Sequence, residues 1–159
     1  MYERTHTLLD LREEAPRKQA TPREVRESSF RLPAEAASVP LARRFTTTVL
    51  TLWKVGGELL EDAELVVSEL AGNAATHGRC DLTVRLRLDA NGLLHITVID
   101  RGDEPESAAS PLADDEHGRG MHIIQALAAR MYVTRQSRSR HTLVVLTPGD
   151  GGADKTAHA

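Results

Sequence analysis

The chain has 159 residues, of which 3% are aromatic and 27% charged, with 20 Lys and Arg against 23 Asp and Glu for a net charge of −3. That length suits one domain with short tails, able to bury about two thirds of its unfolded surface without disulfide or metal staples. The acidic balance argues against nucleic-acid binding, the scarcity of aromatics demands an aliphatic core, and no apolar run is long enough to span a bilayer. A single cysteine, Cys80, cannot close an internal disulfide, and the opening "MYERTHTLLDLREEAPRK" is too charged for a signal peptide. A cytoplasmic protein is expected.

Residues 1–27 carry six basic and six acidic side chains around a short apolar patch at Leu8, Leu9 and Leu11, and read as a charged tail or a docking helix outside the core. "SSFRLPA", from Ser28, alternates like a short strand that Pro33 closes. "SVPLARRFTTTVLTLWKVG" then predicts a helix with Ser38 as cap, Pro40 in the first turn and Gly56 as stop. Its apolar face would be Leu41, Phe45, Val49 and Leu52. A second helix is predicted from Glu58 to His77, with Gly78 as C-cap and a stripe of Leu59, Ala63, Val66, Leu70 and Ala74.

"LTVRLRLD" and "LLHITVID" alternate as two strands joined at Asn91-Gly92, a strong hairpin signal. Residues 103–117 make a polar, acidic loop, long enough to be a lid or a binding loop. "GRGMHIIQALAARM" predicts a glycine turn opening an amphipathic helix. The strands "YVTRQ" and "HTLVVLT" follow, joined by a basic turn "SRSR", and residues 148–159 read as a disordered tail. Three helices grouped with strands of this order imply a two-layer α/β sandwich, a largely antiparallel mixed sheet covered on one face, over residues 28–147.

Three features could carry chemistry. On the second helix Glu69, Asn73 and His77 recur at steps of four, so they follow one edge of the apolar stripe. A carboxylate there could take a proton from a hydroxyl, and an Asn carbonyl oxygen is a hard ligand for Mg²⁺. A solvated polar edge would give the same pattern. At the end of the second hairpin strand, "VIDRG" places Asp100 and Gly102 where a carboxylate could accept from an exocyclic amine beside a flat ring; an ordinary turn uses the same residues. Gly118-Arg119-Gly120 precede a helix whose first N–H groups could bind an anion, or they form a plain hinge. No Gly-Lys-Ser/Thr follows, so this is not a P-loop.

Taken together and in this order, "SELAGNAATHG", "VIDRG" and "GRGMHIIQALA" resemble the GHKL ATPase superfamily, which has the Bergerat-type fold, and most of all its stand-alone anti-sigma factor serine/threonine kinases. The similarity covers roughly residues 28–147. It implies ATP and Mg²⁺ as cofactors, Glu69 as general base and Asn73 as the magnesium ligand. It further implies Asp100 and Gly102 at the adenine, Gly118, Arg119, Gly120 and Met121 in the phosphate-facing segment, a supporting role for His77, and Thr142 at the adenine end. Two positions depart from the family: Asp103-Glu104-Pro105 stands where a further glycine is common, and Arg140-His141 stands where glycine commonly precedes the threonine.

The implied activity is transfer of phosphate from ATP to a serine on a small STAS-type antagonist, with a sigma factor as the sequestered partner, possession of a homodimer interface, and no direct contact with nucleic acid or membrane. The alternative is a nucleotide-dependent switch that binds its partner without phosphorylating it. A sensor histidine kinase would need a phosphoacceptor hairpin longer than the 27 residues ahead of the domain.

Overall fold

In the computed structural model, which describes residues 24–77, 80–102 and 118–149, eight elements follow one another. They are β1 (Arg26–Pro33), α1 (Ser38–Leu52), α2 (Glu58–Thr76), β2 (Asp81–Leu88), β3 (Leu94–Arg101), α3 (Gly118–Leu127), β4 (Arg130–Gln136) and β5 (Ser139–Leu146). The five strands form one open sheet in the order β1-β2-β3-β5-β4. Every neighbouring pair is antiparallel, where a largely antiparallel, mixed sheet was expected. The three helices lie on one face, giving the two-layer α/β sandwich. Residues 1–23, 103–117 and 150–159, and with them nearly all of both tails and the whole acidic loop, lie outside the described residues.

Alternation decides which side chains enter the core. Leu82, Val84, Leu86 and Leu88 of β2 face the helices with Leu94, Ile96 and Val98 of β3 and Val144 and Leu146 of β5, all buried. Against them α2 sets Leu59, Ala63, Val66, Leu70 and Ala74, the predicted stripe, together with Val67 and Ala71. Ile124 is the buried anchor of α3. Phe30 of β1 stacks on Phe45 of α1 at 5.3 Å between ring centroids, closing the edge of the core.

Several boundaries differ from the sequence expectation. Strand β1 begins at Arg26, because Arg26 and Glu27 continue the ladder opposite Leu88 and Arg87. Helix α1 presents Ser38, Ala42, Thr46, Val49 and Leu50 inward, while Leu41 is 48% and Leu52 74% exposed. Small residues on that face let the helix approach closely, and Thr46 satisfies its buried hydroxyl by donating to the Ala42 carbonyl at 3.0 Å. Ser38 is the first helical residue, with Ala37 in the cap position instead, and the helix ends at Leu52, four residues before Gly56. Helix α3 stops at Leu127, since Met131 is drawn into the sheet opposite Val144. The turn between β4 and β5 contracts to Ser137-Arg138, so Ser139 and Arg140, expected in the turn, are strand residues.

Among the described residues no helix is long and apolar enough to cross a membrane.

Candidate functional site

The chain path gathers the predicted site residues at one end of the sandwich. Helix α2 runs toward that end and hands over to β2 at Asp81, which pairs with Arg101 at the end of β3. Cys80 donates its backbone N–H to the Arg101 carbonyl at 2.8 Å, fixing the junction. Strand β3 therefore finishes at the end where α2 finishes. The β4–β5 turn lies there too, for the Gly102 N–H donates to the Arg138 carbonyl at 3.1 Å.

Glu69, Asn73 and His77 occupy the last two and a half turns of α2, and all three are half-buried. Their position between buried and exposed faces is what a step of four beside an apolar stripe produces. His77 is the residue on which the helix ends, its N–H still bonded to the Asn73 carbonyl at 3.1 Å. The predicted C-cap, Gly78, lies outside the described residues.

Glu69 faces the start of α3. A Cβ built on Gly120 would come within 2.3 Å of Glu69 Oε2 and 3.3 Å of its carboxyl carbon. Real Cβ atoms do not approach an oxygen that closely, so only a glycine leaves room for the carboxylate. Gly118, Arg119 and Gly120 form the first turn of α3 itself, in place of the expected turn ahead of the helix. A first turn tolerates glycine, because its N–H groups have no carbonyl four residues back. Arg119 is exposed, and Met121 packs partly against the core. A carboxylate thus sits over a helix N-terminus, the part of a helix that favours anions.

Asp100 is the penultimate residue of β3, on the face turned to the helices, and is only 2% exposed. Its direct cross-strand partner is Arg140, whose Nε donates to Asp100 Oδ2 at 3.1 Å. That pairing was not foreseen in the sequence, where Arg140 had been placed in a turn. Thr142, two residues along β5, shares this inner face and is buried opposite Val98 and Val133. Gly102 has φ of 152°, a conformation that side-chain-bearing residues rarely adopt, so the chain can leave β3 there only with glycine.

No cluster of three His, Cys, Asp or Glu able to hold a metal occurs among the described residues. The donors present do fit a magnesium-bound nucleotide, because Mg²⁺ keeps phosphates and waters as most of its ligands. The recessed Asp100 carboxylate offers a hydrogen-bond acceptor, the helix start cleared by Gly120 offers N–H groups, and Glu69 and Asn73 carry hard oxygens.

The family model of the histidine kinase-like ATPase domain matches residues 32–147, nearly the whole of the described fold. No curated protein matches the chain. Nucleotide binding follows from the family match, whereas the finer activity does not. The order of the elements, the glycine-cleared helix start and the match over 32–147 agree: this chain belongs to the histidine kinase-like ATPase domain family.

Proposed function

We propose that this chain is a cytoplasmic regulatory serine/threonine kinase of the anti-sigma type. In this reading it uses ATP and Mg²⁺ to phosphorylate a small STAS-type antagonist and, as a homodimer, sequesters a sigma factor. The observation that carries the reading is the seat of Glu69 over the first turn of α3, held open by Gly120.

Bound ATP with Mg²⁺ supplies the transferable phosphoryl group and the cation that neutralises it. Phosphoryl transfer asks a protein mainly for positioning and charge neutralisation, which few residues can provide. Glu69 accepts the proton of the attacking serine hydroxyl as general base. Asn73, one turn further along α2, offers its amide oxygen to the metal, and His77 supports that edge. Gly118, Arg119, Gly120 and Met121 present the start of α3 to the phosphates. Asp100 accepts from the exocyclic amine of the base, with Gly102 leaving room for the ring and Thr142 lining the same end.

Replacing Glu69 with Ala is expected to preserve nucleotide binding and to lower phosphoryl transfer about 10²–10⁴-fold, the usual scale for a general base. Calorimetry and transfer of labelled phosphate from ATP to the antagonist read the two effects separately. Undiminished transfer by the variant would remove Glu69 from this role. Asn73→Ala should abolish the difference between ATP titrations with and without Mg²⁺; a difference that persists rejects the ligand assignment. The second reading, a switch that binds nucleotide without transferring phosphate, draws on the Asp100–Arg140 pair, which engages the base-end carboxylate. It predicts that wild-type protein binds nucleotide yet phosphorylates no antagonist.

A further inference from the structure

The base end of the site carries a cation, Arg140, that the phosphoryl-transfer reading does not use. Across the inner face of the sheet the register aligns Leu82, Asp100, Arg140 and Arg135 in one row. Within that row Arg140 is mostly buried, with 12% of its side chain exposed against 2% for Asp100. The guanidinium is oriented by the 3.1 Å bond from Nε to Asp100 Oδ2. Its backbone cannot drift away, because residues 139–146 are laddered to β3 on one side and β4 on the other. The Gly102–Arg138 bond pins the adjoining turn as well.

A lone recessed carboxylate only accepts hydrogen bonds, and it selects a base edge that donates. A carboxylate with a guanidinium bonded beside it is a different recognition element. One carboxylate oxygen is already engaged, and the terminal guanidinium nitrogens carry N–H donors beyond the one given to Asp100.

We propose that the Asp100–Arg140 pair makes the base end a combined acceptor and donor, so that the site takes 6-oxopurine nucleoside triphosphates alongside 6-aminopurine ones. This inference rests on the assignment of Asp100 to the base. A 6-amino group meets a carboxylate that must share its lone pairs with Arg140, whereas a 6-oxo group accepts from Arg140. Both kinds of base gain one polar contact, and discrimination between them is small. Removing the guanidinium takes away the donor for an oxo group, whose lone pairs then face the carboxylate, while the amine keeps its acceptor.

Equilibrium binding of Mg-ATP and Mg-ITP to the full chain tests this, since the two ligands differ only along the N1–C6 edge of the purine, a 6-amino group beside an unprotonated N1 in one and a 6-oxo group beside N1–H in the other. Wild-type protein should bind them within about threefold of each other. Arg140→Ala should shift the ratio toward ATP by about tenfold, as the loss of one charge-assisted hydrogen bond implies. Arg140→Gln, which keeps a neutral donor, should fall between. The ratio is measured within each protein, so a general loss of stability does not imitate the effect. An unchanged ratio in a folded Arg140→Ala overturns the inference while leaving nucleotide binding intact. Failure of wild type and Arg140→Ala to bind either triphosphate would instead reject the nucleotide site, and this inference with it.

Discussion

At the scale of single residues, Gly120 is the position where fold and chemistry separate most cleanly. The atom that a new methyl group would strike is Glu69 Oε2, the far end of a flexible side chain. The fold can yield by moving that carboxylate, without moving backbone. Alanine also favours helix over glycine by up to about 1 kcal/mol, which offsets part of the crowding. Gly120→Ala is therefore expected to leave the unfolding midpoint close to wild type while lowering the proposed phosphoryl transfer through displacement of Glu69. Paired urea unfolding and transfer assays check it. A variant that unfolds early but transfers phosphate normally would show that the seat serves packing alone. The row of Glu69, Asn73 and His77 was legible as an edge of α2 because helix periodicity is local. What it faces was not legible, since the start of α3 is more than forty residues further along the chain.

At the scale of elements, the end of α1 shows how backbone geometry overrides a sequence signal. The Val55 N–H reaches back to the Leu50 carbonyl at 2.9 Å and the Lys54 N–H to the Thr51 carbonyl at 3.0 Å, a Schellman closure. Lys54 holds the left-handed position of that motif, with φ of 60°. A residue with a Cβ is strained there, so Lys54→Gly should stabilise the fold by about 0.5–1 kcal/mol, read as a higher urea midpoint at unchanged m-value. A lower midpoint would mean that the lysine side chain contributes more than its backbone strain removes. Gly56 looked like the stop because glycine usually takes this position. The central strands and the α2 stripe were readable because period two and period 3.6 are written in adjacent residues. The inner face of α1 was not, because Ala42 and Thr46 carry it while the larger Leu41 and Leu52 face water. Nor was the Asp100–Arg140 pair, which depends on a two-residue turn between β4 and β5 and on a register set across forty residues.

At the scale of the whole molecule, the sheet end that gathers the site is tied together on its opposite face by one carboxylate. Asp81 of β2 accepts from Arg31 of β1 at 2.5 Å and from Arg101 of β3 at 3.1 Å, and Arg101 also donates to Thr83 Oγ1 at 2.9 Å. Burial alone would raise the Asp81 pKa, but the hydrogen bonds and charges of Arg31 and Arg101 outweigh it and hold the carboxyl below its ordinary value. Asp89 in the β2–β3 turn is lowered in the same way: partial burial opposes, while His95 and the backbone N–H groups of Leu93 and Asn91 prevail. A carboxyl whose folded pKa lies below its unfolded value binds fewer protons in the folded state, so it stabilises the fold above the unfolded value. That contribution declines once the pH falls below about 3.9 and is gone below the lower folded pKa. The wild-type urea midpoint should therefore exceed that of Asp81→Asn near neutral pH, and the gap should close as the pH is taken down through the carboxylate range. Because both proteins share every other titrating group, the difference isolates Asp81 from general acid unfolding. A gap that stays constant with pH would mean that the variant is weakened by lost geometry and not by lost charge. The three strands would then be held at this end by their ladders alone.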